Sequence, residues 1–181
     1  MCGIAGIIQK NEVVCEVLYR AYSVQKHRGP DANGTSTYKV NHWNIGLAHQ
    51  RLSIIDLSEL GNQPMISSDG NDIIIYNGEI YNYKELGIEL EKLGCCFASD
   101  SDTEVILYAL KHWGPEKALQ KFNGMWAFAW LDLQNNKLTL SRDRIGIKPL
   151  YFYRTDDRLY FASEIKTILE MSQERFDLNY Q

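Results

Sequence analysis

The sequence predicts an α+β fold in which two antiparallel sheets pack face to face with helices outside them. Met125 to Leu131 is apolar at every position, as a strand buried on both faces must be. Short alternating or β-branched runs, among them Gly34 to Val40 and Ile73 to Tyr76, are punctuated by turn residues. Separate segments carry apolar residues at three and four residue steps, which supplies helices for the outer faces. Strands wet on neither face, in an antiparallel context, need a second sheet on one side and helices on the other.

Taken in order, Gly3 to Ile8 reads as a first strand. Val13, Val14, Val17, Leu18, Ala21 and Val24 then form the stripe of an amphipathic helix that ends near His27-Arg28-Gly29-Pro30. Strands are expected over Gly34 to Val40, Trp43 to Ile55 and Ile73 to Tyr76, the last stopping at Asn77-Gly78, a strong signal for a tight hairpin turn. Leu86, Leu90 and Leu93 mark a second helix. Ile106, Ala109, Leu110 and Trp113 mark a third, opened by a Ser101-x-x-Glu104 capping box, and a short helix follows near Ala118. After the doubly buried strand, Leu138 to Leu140, Leu150 to Tyr153 and Leu159 to Ala162 are joined at Asn135-Asn136 and Thr155-Asp156-Asp157 and read as a meander. Phe176 to Gln181 carries no stop signal, so the chain is expected to continue into something longer.

With 181 residues, 45% hydrophobic and 23% charged, the chain is read as one domain whose core needs no disulfides. A net charge of -4 with scattered Lys and Arg gives no basic stripe, so no nucleic acid is expected as a partner. The apolar start has no basic region before it and no cleavage site, which predicts neither a signal peptide nor a membrane span and places the protein in the cytoplasm. Cys2, Cys15, Cys95 and Cys96 show no CxxC spacing, and His27, His42, His49 and His112 are scattered, so reduced thiols and no metal site are expected.

Cys2 is the first candidate for chemistry. Removal of Met1 would leave a thiol and a free α-amine on one residue, with reference pKa values of about 8.5 and roughly 7.7 to 8, so that the amine can accept the thiol proton at little cost. Taken alone, a cysteine at position two is more often an inert buried side chain of a first strand. Asn77-Gly78-Glu79 is the second: a plain turn, or an Asn amide and a Gly N–H presented together as oxyanion donors, one of which can contribute roughly 3 to 4 kcal/mol to barrier lowering. Arg51 is the third, either a solvated edge charge or, if its face is covered, a planar fork for a carboxylate. Asp102 is the fourth; a helix-capping acid explains it, and the alternative is that Asp102, with Glu79, binds the ammonium of an amino acid whose carboxylate sits on Arg51.

Together these residues lie within a longer series of motifs. It comprises Met1-Cys2-Gly3-Ile4-Ala5-Gly6, His27-Arg28-Gly29-Pro30-Asp31, Arg51-Leu52-Ser53-Ile54-Ile55-Asp56, Asn62-Gln63-Pro64-Met65 and Tyr76-Asn77-Gly78-Glu79-Ile80-Tyr81-Asn82. It continues with Ser101-Asp102-Thr103-Glu104, the run from Ser141 to Tyr151, and Phe161-Ala162-Ser163-Glu164-Ile165-Lys166. In this order the series resembles the class II glutamine amidotransferases, in particular the asparagine synthetase type, whose glutaminase domain belongs to the N-terminal nucleophile hydrolases.

The resemblance implies a four-layer αββα sandwich with residues 1–181 as the glutaminase domain, the N-terminal part of a longer synthetase. It implies Cys2 as nucleophile after Met1 removal, Asn77 and Gly78 as oxyanion donors, and a glutamine pocket lined by Arg51, Leu52, Ser53, Ile54, Ile55, Asn77, Gly78, Glu79 and Asp102. Glutamine would be hydrolysed through a Cys2 thioester, and the ammonia passed to a C-terminal ATP-dependent synthetase domain that amidates a carboxylate, aspartate first of all. No Gly-rich phosphate loop occurs here, so no cofactor is expected in this domain, ATP and magnesium belonging to the synthetase part. Two rival readings stand beside this one: a partner that amidates a sugar carboxylate for surface polysaccharide, and a non-catalytic binding module that retains Met1. A homodimer is compatible with the sequence, which does not fix the oligomeric state.

Overall fold

Period-two alternation decides how the strands of this chain stack. The structure is a computed structural model and describes residues 1–13 and 15–175. In chain order the elements are β1 (Gly3–Gln9), α1 (Cys15–Val24), β2 (Ala32–Val40), β3 (Trp43–Arg51), β4 (Met65–Ile66), β5 (Asp72–Ile80) and α2 (Tyr83–Glu91). There follow α3 (Asp102–Lys121), β6 (Gly124–Asp132), β7 (Lys137–Arg142), β8 (Tyr151–Arg154), β9 (Arg158–Ala162) and α4 (Ile165–Ser172).

One sheet has the order β2-β3-β1-β9-β8 and the other β4-β5-β6-β7, with every pairing antiparallel. Ile4 of β1, Ile45 and Leu47 of β3, Ile73 and Ile75 of β5, Ala127, Ala129 and Leu131 of β6, and Phe161 of β9 meet between the sheets. The intervening residues face outwards. Ala5, Ile7 and Ala48 pack with Leu18 and Ala21 of α1 and Ile168 and Met171 of α4. Ile74, Tyr76, Phe128 and Trp130 pack with Leu86 and Leu90 of α2 and Ile106 and Leu110 of α3. The order of layers is therefore helices, sheet, sheet, helices, the αββα sandwich that the sequence led us to expect.

Several local expectations are corrected. β3 stops at Arg51 instead of running to Ile55, because β2 ends its pairing there, at Ala32↔Arg51. β5 does not turn at Asn77-Gly78; it continues to Ile80, with Asn77 opposite Ala127 and Gly78 opposite Trp126. The glycine serves close approach, since a Cβ there would lie 2.3 Å from the Met125 carbonyl oxygen and 2.6 Å from the Tyr76 ring.

The capping box is half present. Ser101 Oγ accepts from the Glu104 amide at 3.3 Å, whereas the Glu104 carboxylate accepts from the amides of Ala98 and Ser99 instead of that of Ser101. α3 absorbs the short helix near Ala118, broken only at Gly114 (φ 73) before Pro115.

The second half is no simple meander. β6 and β7 stay in one sheet, then the chain crosses at 143–150 and adds β8 and β9 to the other, where β9 lies against β1. α4 had no counterpart among the predicted helices, although Ile165, Ile168, Leu169 and Met171 carry its spacing. Val14, assigned to the first helical stripe, and the open end read at Phe176 to Gln181 lie outside the described residues.

Phe161 is fully buried at the centre of the inter-sheet seam. Phe161→Ala should lower unfolding free energy by about 3 to 5 kcal/mol, read from urea denaturation with an unchanged m-value.

Candidate active site

The alternation that fills the seam also decides what stands at its end. On the inner face of β5, Asn77 follows Ile73 and Ile75; on that of β3, His49 and Arg51 follow Ile45 and Leu47. The β1–β3 register, Gly3↔Gln50, sets Cys2 beside Arg51 when extended by one residue. The polar ends of three inner faces thus converge at one mouth of the sandwich.

A cavity of about 250 Å³ opens there, lined by Cys2, Arg51, Leu52, Ile54, Ile55, Tyr76, Asn77, Gly78, Glu79 and Asp102, with Gln63, Met125 and Lys148 among the remaining walls. That lies just under the range of roughly 300–1,000 Å³ for drug-sized ligands and suits a single amino acid. Of the residues singled out in the sequence, Ser53 alone is not part of this lining. It borders a neighbouring hollow with Asp31 and Ser58, and its amide donates to Asp31 Oδ2 at 2.8 Å.

Cys2 is half-buried. Its Sγ accepts from the Leu52 amide at 3.4 Å and its carbonyl accepts from Arg28 Nε at 2.8 Å. Burial pushes the thiol above its ordinary pKa, while the hydrogen bond with Leu52 and the positive chain terminus and Arg51 pull it back. Met1 is 58% exposed, so the bond that would release the Cys2 amine lies at the surface.

The donors opposite Cys2 are unpaired. Asn77 is 1% exposed, and its buried Nδ2 has no hydrogen-bond partner among the described residues. A buried N–H without an acceptor is destabilising by about 1 to 3 kcal/mol, so an acceptor in the cavity is the natural complement. Gly78 N–H belongs to a second open edge. Because β4 has only two residues, opposite Ile73 and Ile74, the following amides of β5 on that edge find no strand. Tyr76 N donates to Gln63 Oε1 at 2.6 Å and Ile80 N to Asp102 Oδ2 at 3.0 Å. In an antiparallel pair alternate amides point to the same side, which puts Gly78 N–H on this edge between those two, away from β6.

Arg51 is no solvated edge charge: it is 6% exposed. Nη1 donates to the Ser58 carbonyl at 2.6 Å and to Asn62 Oδ1 at 2.8 Å, and Nη2 donates to the Asp56 carbonyl. Gly61 closes over it, since a Cβ there would meet Nη2 at 2.3 Å. The guanidinium therefore clamps the segment 56–62 along the cavity rim. Three of an arginine's five N–H donors serve that clamp, and Nε with one Nη2 hydrogen remain for a ligand.

Asp102 stands in the first turn of α3, where its Oδ2 accepts from Tyr76 Oη at 2.9 Å as well as from Ile80. Burial, reinforced by Glu79, holds its carboxyl above the usual range, and these hydrogen bonds oppose the rise. His49 donates from Nε2 to the Tyr76 carbonyl at 3.1 Å; burial lowers its pKa to about 3, so the ring is neutral.

Sequence reasoning assigned no role to Gln63, Tyr76 or Lys148. Gln63 is buried, taking the Tyr76 amide on Oε1 and donating from Nε2 to Thr103 Oγ1 at 3.1 Å. Lys148 is 6% exposed, and its ammonium has no hydrogen bond or ion pair among the described residues; its backbone is held, the amide donating to Asp143 Oδ2 and the carbonyl accepting from Arg142 Nε. All three sit inside the motifs quoted above, so the signal was there at the level of segments and missing at that of side chains.

The family described as "Glutamine amidotransferase domain" matches residues 1–181. The putative asparagine synthetase (glutamine-hydrolyzing) 2 of Methanocaldococcus jannaschii is 42% identical over 188 residues, 96% of this chain and 36% of that protein. Asparagine synthetase (glutamine-hydrolyzing) 1 of Bacillus subtilis is 41% identical over 174 residues, 93% of this chain and 27% of that one. The chain thus spans about a third or less of these curated relatives. A solved structure of glutamine phosphoribosylpyrophosphate amidotransferase from B. subtilis, complexed with ADP and GMP, superposes with a TM-score of 0.78 at 20% identity over 94% of this chain and 44% of that one, which shows a shared fold.

His49 supplies a prediction about pH. Unfolded, its imidazole takes up a proton below about pH 6.5; folded, it stays neutral down to about 3. Stability is therefore complete above the unfolded value and falls as pH drops through this window, by up to about 1.4 kcal/mol per pH unit. Urea unfolding at pH 7 and pH 5 should show the loss, and His49→Gln should reduce it.

Proposed function

This chain belongs to the glutamine amidotransferase domain family, and we propose that, once Met1 is removed, it hydrolyses glutamine to glutamate and ammonia through a thioester on Cys2. The observation that carries the proposal is the buried, unpartnered Asn77 Nδ2 in the wall of the cavity that contains the Cys2 thiol. A nucleophile facing an unsatisfied donor is the arrangement acyl transfer requires.

The freed α-amine of Cys2 takes the thiol proton, and the thiolate attacks the side-chain amide carbon of glutamine. Asn77 Nδ2 and Gly78 N–H stabilise the tetrahedral oxyanion. The same amine returns the proton to the departing nitrogen, ammonia leaves, and water activated by that amine hydrolyses the thioester to glutamate. Asp102 and Glu79 take the substrate ammonium, and the donors of Arg51 not used by the rim take its carboxylate, against walls formed by Leu52, Ile54 and Ile55. Ser53 borders the cavity from the neighbouring hollow, its amide tied to Asp31 Oδ2.

The ammonia passes to an ATP-dependent synthetase site that amidates a carboxylate, giving asparagine from aspartate. The curated relatives named asparagine synthetase, with the greater part of their length beyond the matched region, support this step. No step in this domain calls for a cofactor.

Cys2→Ala should abolish ammonia release from glutamine, whereas Cys15→Ala and Cys96→Ala, both at exposed positions, should leave it intact. Undiminished turnover by Cys2→Ala would remove the nucleophile from the scheme. Asn77→Ala should lower kcat by about 10² to 10³ with a smaller change in KM, measured as glutamate production at saturating glutamine.

A further inference from the structure

We infer that Tyr76 is a positioning residue that sets the substrate-binding carboxylate of Asp102 in register with the oxyanion donors on β5. The inference rests on the glutaminase reading above and adds a residue to it. Three separate bonds fix this tyrosine: its amide donates to Gln63 Oε1, its carbonyl accepts from His49 Nε2, and its hydroxyl donates to Asp102 Oδ2. It is 3% exposed.

Tyr76 and Gly78 share the helix-facing side of β5, and a Cβ at position 78 would lie 2.6 Å from Tyr76 Cε2 and 2.8 Å from its hydroxyl oxygen. The phenol thus lies back across Gly78 to reach α3. The residue that offers an oxyanion donor and the residue that offers the ammonium acceptor are spaced by one rigid ring. Tyr76 Oη and Ile80 N both fall on Oδ2, and the Thr103 backbone also favours the ionised carboxylate.

A phenol donating to Oδ2 favours the ionised carboxylate, the form that binds an ammonium, and opposes the effect of burial. Around Asp102, the charged or titrating groups lining the cavity are the chain terminus at Met1 and Cys2 from the β1 side, Arg51 of β3, Asp56 of the rim, Glu79 of β5 and Lys148 of the 143–150 crossing. Glu104 on α3 is turned away to the amides of Ala98 and Ser99.

The test is Tyr76→Phe, which keeps the ring and removes the hydroxyl. In the active protein, KM for glutamine should rise roughly tenfold with kcat changed by less than about twofold, and the acid limb of kcat/KM should move to higher pH. In a Cys2→Ala background, calorimetric glutamine affinity should weaken by the same factor, and Tyr76→Phe should add nothing once Asp102→Asn is present. An unchanged KM and acid limb, or equal losses with and without Asp102→Asn, would overturn the assignment while leaving the glutaminase reading in place. Absence of glutamine binding by the Cys2→Ala protein removes both. Should Tyr76→Phe fail to fold, carbon NMR of the unmutated protein decides: the Tyr76 Cζ resonance should titrate with the Asp102 carboxyl, and a Cζ signal indifferent to that titration defeats the proposal.

Discussion

Two sheets pressed face to face leave no water between them, and that exclusion governs both the fold and the position of the chemistry. Along the seam apolar side chains predominate, as Ile4, Leu47, Ile73, Ile75, Ala129 and Phe161 show. The charged and amide side chains of the inner faces sit at an end, where they can find a partner or a ligand. Cys2, Arg51 and Asn77 are what β1, β3 and β5 present at such an end, and strand periodicity alone brings them together. The outer helices then close the site from the side, α3 delivering Asp102 through its first turn.

Shortness is as important as packing. β4 pairs with only two residues of β5, so the amides beyond it are claimed one by one, by Gln63, by Asp102 and, in the proposed reaction, by the oxyanion. A longer β4 would satisfy the Gly78 amide with a carbonyl and remove a donor from the cavity. The segment where β4 might have extended is instead an irregular rim clamped by Arg51, whose acceptors are mainly backbone carbonyls. That use of a charge would stay invisible to any reading that looks for an acidic partner.

The layers were legible because they follow from periodicity: the doubly apolar run at 125–131 already demanded a sheet on one side and helices on the other. What failed was local and has local reasons. Asn77-Gly78 has the composition of a hairpin turn, yet Gly78 has no positive φ; it is a glycine because Met125 and Tyr76 crowd it from neighbouring positions, which only the assembled sheet reveals. Arg51 was placed correctly in a strand and its burial was conditional on a cover that sequence does not show. The Cys2, Asn77, Glu79 and Asp102 positions were readable as motifs. Tyr76 and Gln63 were not, since their part is to hold other residues through single hydrogen bonds across distant segments.

β1 lies between β3 and β9, and Ile4 exchanges hydrogen bonds with Ser163: its amide donates to the Ser163 hydroxyl and its carbonyl accepts from the Ser163 amide. Strand β1 thus gains one of its two neighbours only when β9, late among the described residues, has been translated. At about 5 to 20 residues per second, the leading end spends many seconds with an incomplete sheet. During that interval the β9-facing edge of β1 stays unpaired, so the end of the sandwich that holds Cys2 is completed only after β9 has joined the sheet.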